Sequence, residues 1–251
     1  MNGPRGCARR KVRARNGRAA GEEGPLRGRT GCARGKRLRG RERRARREHV
    51  RALRAAARRA VFAGQCRALA AAGYAAADKT VSFGKANGLG ALCALPFVAA
   101  VAAALFFLPR PVFAAFGVFW ADVLLYLAAA VLSVPAHEGL HALARAAANG
   151  SFGGITFGVA HGTPYCACAR PTGRFRYAAG ALAPFAVLGL GLSVAGLCLG
   201  HVPLALLGAF NLYCAGADVL VAARALFSRA ALVLDHPVLC GFYAFVRPPQ
   251  A

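Results

Sequence analysis

Four stretches of this chain stay apolar for 20 residues or more, and their length constrains the fold more than any other feature. They are "LGALCALPFVAAVAAALFFL" (89–108), the run from Phe119 through "WADVLLYLAAAVLSVPAHEGLHAL" to Leu143, "AAGALAPFAVLGLGLSVAGLCLG" (178–200) and "VPLALLGAFNLYCAGADVLVAARALF" (202–227). A helix of about 20 apolar residues crosses the hydrocarbon core of a bilayer. In that solvent every backbone N–H and C=O must be bonded within the protein, which favours helices. The expectation is an all-α polytopic membrane protein with about four transmembrane helices. The links around Arg110-Pro111 and His201 are short, so each pair of spans should be an antiparallel hairpin.

Charge divides the chain a second way. Of 33 Lys and Arg, 22 lie in residues 1–60, and the remainder keeps 11 basic and 5 acidic residues. Residues 1–60 read as a basic arm with almost nothing to bury, disordered at least to about Gly40. From Arg41 to Ala77 the text could make a basic helix. The arm is either a solvated tail or a contact for anionic lipid headgroups, with nucleic acid the less favoured partner. Met1 is the only methionine; translation starting later, at a valine codon such as that of Val50 or Val61, would remove most of the arm. Mass spectrometry of the native N-terminus decides this, and an intact Met1 peptide would exclude the later start. Residues 61–88 read as an amphipathic linker, 89–230 as the membrane-embedded domain and 231–251 as an interfacial tail containing "LCGFYAFVRP".

Lys and Arg also give an orientation. The arm, then Arg145, Arg170, Arg174 and Arg176, then Arg224 and Arg229 all fall on one side if both termini are cytoplasmic in a bacterial-type plasma membrane. The connection 149–176 differs from the short outer links. "ITFGVA" and "PYCACA" are strand-like around "HGT", which predicts a small β-hairpin between the second and third spans. It is either an ordered surface loop or an edge that an extended peptide can join. The nine cysteines show no disulfide framework. Cys166 and Cys168 form a C-x-C, either a metal or redox pair or, with both side chains on one strand face and no second pair nearby, a pair without such a role.

Within this apolar body, "SVPAHEGLHALARAAANG" (133–150) places His137, Glu138 and His141 together. At i and i+4 on a helix the two imidazoles face one way and can reach one ion. Glu138 lies close enough to take a proton from a water on that ion. This is the H-E-x-x-H spacing of zinc hydrolases; the plainer reading is a polar helix end in headgroup water. Between Phe119 and Arg229 the only carboxylates are Asp122, Glu138 and Asp218. Asp122 sits near Trp120 at the predicted outer interface. Asp218 lies about 15 residues, or roughly 22 Å, into the fourth segment, and His137 about 18 residues, or roughly 27 Å, into the second. Both segments run inward, so the depths agree within about one helical turn, and Asp218 is the best placed third ligand. Asn211, two turns before it, either contacts substrate or packs between helices. Gly216 and Ala217 would admit another backbone closely. Pro184 should break or kink the third segment and free carbonyls that need partners. His161, His201 and His236 have no ligand-spaced companion and read as loop or interface residues.

H-E-x-x-H on one span with an Asp on a later one resembles the plan of site-2-protease-type intramembrane metalloproteases. The text "HEGLHAL", a strand-rich loop ending "FRYAAGALAPF", and then "FNLYCAGADVL" resembles more closely the DUF3267 family of zincin-type peptidases, over roughly residues 90–228. The resemblance implies Zn2+ held by His137, His141 and Asp218, with Glu138 as general base. It further implies a peptide or membrane-protein substrate cleaved in or near the bilayer. "FNL" (210–212) is similar to the opening of the second site-2 protease motif, but the prolines and terminal Asp-Gly of that motif are missing, since Val219 follows Asp218. The alternative is a non-catalytic metal-binding membrane scaffold or regulator. A transporter fits less well, because four spans without an internal repeat do not suggest alternating access.

Overall fold

The computed structural model describes residues 29–107, 112, 116–160 and 162–247. The chain divides into two units, Met1–Val50 and Arg51–Ala251. In the first, helix α1 (Arg29–Ala71) is already helical at Arg29, ahead of Gly40 where the sequence places the end of the disordered arm. Arg and Ala are strong helix formers, and an exposed Arg44–Glu48 pair at i,i+4 adds a little. Residues 1–28, which carry the rest of the arm, lie outside the described residues.

In the second unit, α1 ends and the chain passes through β1 (Ala75–Asp78) into α2 (Phe83–Phe106) and α3 (Phe119–Asn149). Ser82 caps α2 by accepting the Lys85 N–H, and Gly150 ends α3 in the left-handed conformation. The predicted hairpin follows as β2 (Ile155–Ala160) and β3 (Thr163–Cys168), paired antiparallel. Next come β4 (Thr172–Gly173), α4 (Arg174–Pro184), a π-helical turn (Phe185–Gly191) and α5 (Leu192–Cys198). α6 (Val202–Cys214), α7 (Gly216–Leu226), β5 (Leu232–Asp235) and β6 (Phe242–Val246) complete the order.

Three helical stretches are long and apolar enough to cross a membrane: α2, α3 and the α4–α5 run. A fourth exists if α6 and α7, bent by 50° across Ala215, count as one span. α3 leaves apolar side chains uncovered along its length, Leu124 being 65% and Val131 70% exposed. A contiguous apolar surface of this kind is compatible with an integral membrane protein. The two short links predicted on one side are hydrogen-bonded to each other: Val112 N–H donates to Gly200 O and Val202 N–H to Val112 O.

The all-α expectation needs correction. A four-stranded antiparallel sheet, in the order β1-β6-β5-β4, stands beside the helices. The 231–251 segment, expected as an interfacial tail, supplies its two central strands, with Val233, Leu234, Phe242 and Phe245 fully buried. Likewise β1, inside the expected linker, pairs with β6 from Ala75↔Val246 to Asp78↔Tyr243. The central strands carry β-formers, but their edge partners are alanine-rich or two residues long, so no local signal marks the sheet they complete.

Small residues set the helix crossings. A Cβ on Gly90 would stand 2.5 Å from Ala217 N, and one on Gly216 would stand 2.1 Å from Gly90 O. α2 therefore crosses the α6–α7 break backbone to backbone, as the small pair Gly216-Ala217 suggests. Gly208 meets Ser193 N in the same way. Gly90→Leu forces these backbones apart and should cost about 1–3 kcal/mol. Thermal unfolding in detergent should show a lowered midpoint; an unchanged midpoint would mean that this crossing does not set the packing.

Candidate metal centre

α3 runs unbroken through Pro135, so His137 and His141 stay one turn apart on one face, with ring centroids 4.9 Å apart. Asp218 reaches them because α6 and α7 are not collinear. The break at Ala215 starts a new helix, and Asp218 lies in its first turn, where the positive end of the helix dipole favours a carboxylate. His137 Nε2 is 3.0 Å from Asp218 Oδ2, and His141 Nε2 is 3.3 Å from Oδ1. One ligand atom from each of the three residues lies within 4.8 Å of the others. Both histidines are buried, at 9% and 5% exposure.

The orientation of His141 has a traceable cause. Its Nδ1 is 2.9 Å from Gly180 O on α4. A carbonyl only accepts, so Nδ1 carries the proton and Nε2 is turned toward Asp218. Gly180 O is free to accept because the residue four positions later is Pro184, which has no N–H. The proline expected to free carbonyls thus frees one for the imidazole. It leaves the helix unbroken and is followed by a π-helical turn.

Glu138 points into the same space. Its Oε2 is buried and has no hydrogen-bond partner among the described residues. A buried carboxylate oxygen left unpaired is costly. Two imidazole nitrogens, a carboxylate and an orphaned carboxylate oxygen beside them form a donor set that fits a divalent zinc ion with a water.

These groups line a cavity of about 640 Å3. Asn211 also lines it, 2% exposed, but its amide nitrogen already donates to Leu207 O within α6 at 2.8 Å. β3 forms one wall, residues 235–241 form another, and the face of α1 carrying Ala55, Arg58 and Arg59 closes a third side.

A second buried cluster adjoins the first. Arg145 pairs with Asp235, whose Oδ1 accepts from the Tyr177 hydroxyl at 2.7 Å and whose Oδ2 accepts from the Cys168 N–H at 2.8 Å. The Arg145 guanidinium lies 5.0 Å from the centre of the Tyr177 ring. Sequence reasoning placed Arg145 at the membrane edge and passed over Asp235. The 137/141/145 repeat at i+4 was a usable signal for Arg145; Asp235, at the end of an unrecognised strand, gave none.

The remaining candidates fall elsewhere. His201 caps α6 by accepting the Leu204 N–H, and His236 accepts from Val238 and Leu239 in a turn. His161 lies outside the described residues. Burial pushes the Cys166 thiol up to about 12, so it is a neutral thiol at physiological pH. Neither Cys166 nor Cys168 joins the ligand cluster.

Residues 130–232 match the model of the DUF3267 family, described as "Putative zincin peptidase". The match spans both the H-E-x-x-H turn and Asp218. No curated protein and no solved structure matches the chain.

Pro184→Ala restores an N–H that competes for Gly180 O, so zinc affinity should fall about 10–100-fold in a chelator competition; unchanged affinity would contradict the role given to Pro184. Asp235→Asn leaves Arg145 buried without its counter-charge and should cost about 3–5 kcal/mol of stability in denaturant unfolding. A loss below 1 kcal/mol, on the order of a surface pair, would contradict that.

Proposed function

We propose that the chain is a membrane-embedded zinc peptidase that hydrolyses peptide bonds in or near the bilayer. The observation that carries this reading is the convergence of His137, His141 and Asp218 on one cavity with the unpartnered Glu138 oxygen beside them. His137, His141 and Asp218 would hold the ion. When bound, zinc supplies Lewis acidity that brings the pKa of a water toward roughly 7 and polarises a carbonyl. Glu138 accepts the proton of the attacking water and returns it to the leaving amine. Gly180 keeps His141 in the Nδ1–H tautomer throughout. Asn211 lines the cavity, and the second N–H of its amide, beyond the one held by Leu207 O, can donate to a substrate carbonyl.

The β2–β3 hairpin supports a substrate held extended. Ala169 N–H donates to Gly154 O, and the register pairs Tyr165 with Gly158 and Ala167 with Thr156. By alternation, Cys166 turns both its N–H and C=O to the outer edge of β3. On that edge Pro164 has no N–H, and the Cys168 N–H is held by Asp235. One backbone donor and its acceptor therefore remain where a strand could add, at residues that line the cavity. Extension also exposes the scissile carbonyl, which a helical substrate hides.

The charge distribution supports cytoplasmic termini, with the part of the basic arm ahead of the cavity-lining Arg58 and Arg59, and Arg170, Arg174 and Arg176, near anionic headgroups. Glu138→Gln should retain zinc and lower hydrolysis by a factor on the order of 10^2–10^4. Asp218→Ala should lose the metal. Hydrolysis undiminished in Glu138→Gln would refute its role as base, and full occupancy in Asp218→Ala would refute the three-ligand site. Zinc without turnover in the wild type would favour a non-catalytic metal-binding scaffold.

A further inference from the structure

α1 contributes more to the site than a polar tail would. Ala55, Arg58, Arg59 and Phe62 follow the i, i+3, i+4, i+7 spacing of one helix face. The first three line the catalytic cavity. Phe62 fixes the register of that face: its ring meets His236 at 5.3 Å and Tyr243 at 5.1 Å, both edge-on. Tyr243 belongs to β6, so the face is anchored to the sheet. The helix cannot turn another of its arginine-bearing faces to the cavity without losing this aromatic contact.

Among the described residues neither Arg58 nor Arg59 has a carboxylate within ion-pair distance. Arg58 Nε is buried without a hydrogen-bond partner. The carboxylates that line the cavity have other tasks: Asp218 faces the two imidazoles, Asp235 holds Arg145 and Tyr177, and Glu138 stands beside the metal ligands. A partly desolvated guanidinium with an unused donor is best satisfied by an anionic oxygen pair.

We infer that Arg58 and Arg59 are specificity-determining residues that select peptide substrates carrying an acidic side chain next to the segment bound in the cavity. This rests on the peptidase reading of the site for the identity of the ligand as a peptide. The contact is made at the cavity rim, so it governs binding more than the chemical step.

The test measures binding to the full-length, zinc-loaded Glu138→Gln protein in detergent, which separates recognition from turnover. The probes are three dye-labelled peptides of one apolar sequence carrying two Glu, two Gln or two Lys, followed by fluorescence anisotropy. The Glu peptide should bind about tenfold tighter than the Lys peptide at low salt, as expected for two rim ion pairs. The gap should close as ionic strength rises toward about 0.3 M. Adding Arg58→Gln and Arg59→Gln should remove the preference at unchanged zinc content. If that variant loses zinc, Arg58→Lys with Arg59→Lys keeps both charges and should keep the preference. Equal binding of the three peptides, or a preference that survives loss of both arginines, overturns the inference.

The wild-type protein separates this inference from the reading beneath it. Hydrolysis without charge preference would leave a peptidase and remove the arginine role. Charge-selective binding without hydrolysis would keep the arginine role and remove the peptidase. Binding of anionic vesicles by α1, with no preference among peptides, would assign the two arginines to lipid phosphate and overturn the inference.

Discussion

Asp218 lies between two imidazoles at the meeting of α3 and α7, and the surrounding structure is arranged around that contact. A carboxylate withdrawn from water is tolerated only when paired. The pairing joins residues 81 positions apart, one on α3 and one on α7. Several unrelated features serve it. The bend at Ala215 gives Asp218 a helix N-terminus, the Gly90–Gly216 approach lets α2 close over that bend, and Pro184 releases the carbonyl that orients His141.

The four-stranded sheet gives α3 a second anchor. Asp235, the last residue of β5, holds Arg145 one turn beyond His141, and Tyr177 at the start of α4 completes the contact. The helix carrying the ligands is thus fixed through Asp218 and again through Asp235. The same sheet carries Tyr243 and, just beyond β5, His236, against which Phe62 of α1 packs. Residues remote in sequence therefore line one cavity.

How much of this could be read from the sequence depends on how local each signal is. The spans announce themselves by apolar length. His137 and His141 share a face by spacing alone, and Asp218 could be matched to them by counting residues along the two apolar segments. The hairpin at 155–168 was visible as two strand-like runs around a turn. The large sheet was not, because its order β1-β6-β5-β4 joins short segments across most of the chain and its edge strands are an alanine-rich run and a two-residue segment. The partner of Arg145 was hidden for the same reason. The α6–α7 break carries no proline to announce it; it lies where α2 crosses closely, at Gly216.

X-ray absorption at the zinc edge of the purified, metal-loaded protein tests the central claim most directly. Two histidine nitrogens at about 2.0–2.1 Å with oxygen ligands completing the shell are the predicted result. Sulfur at about 2.3 Å, which would bring in a cavity cysteine such as Cys166 or Cys240, would contradict the assignment of Asp218.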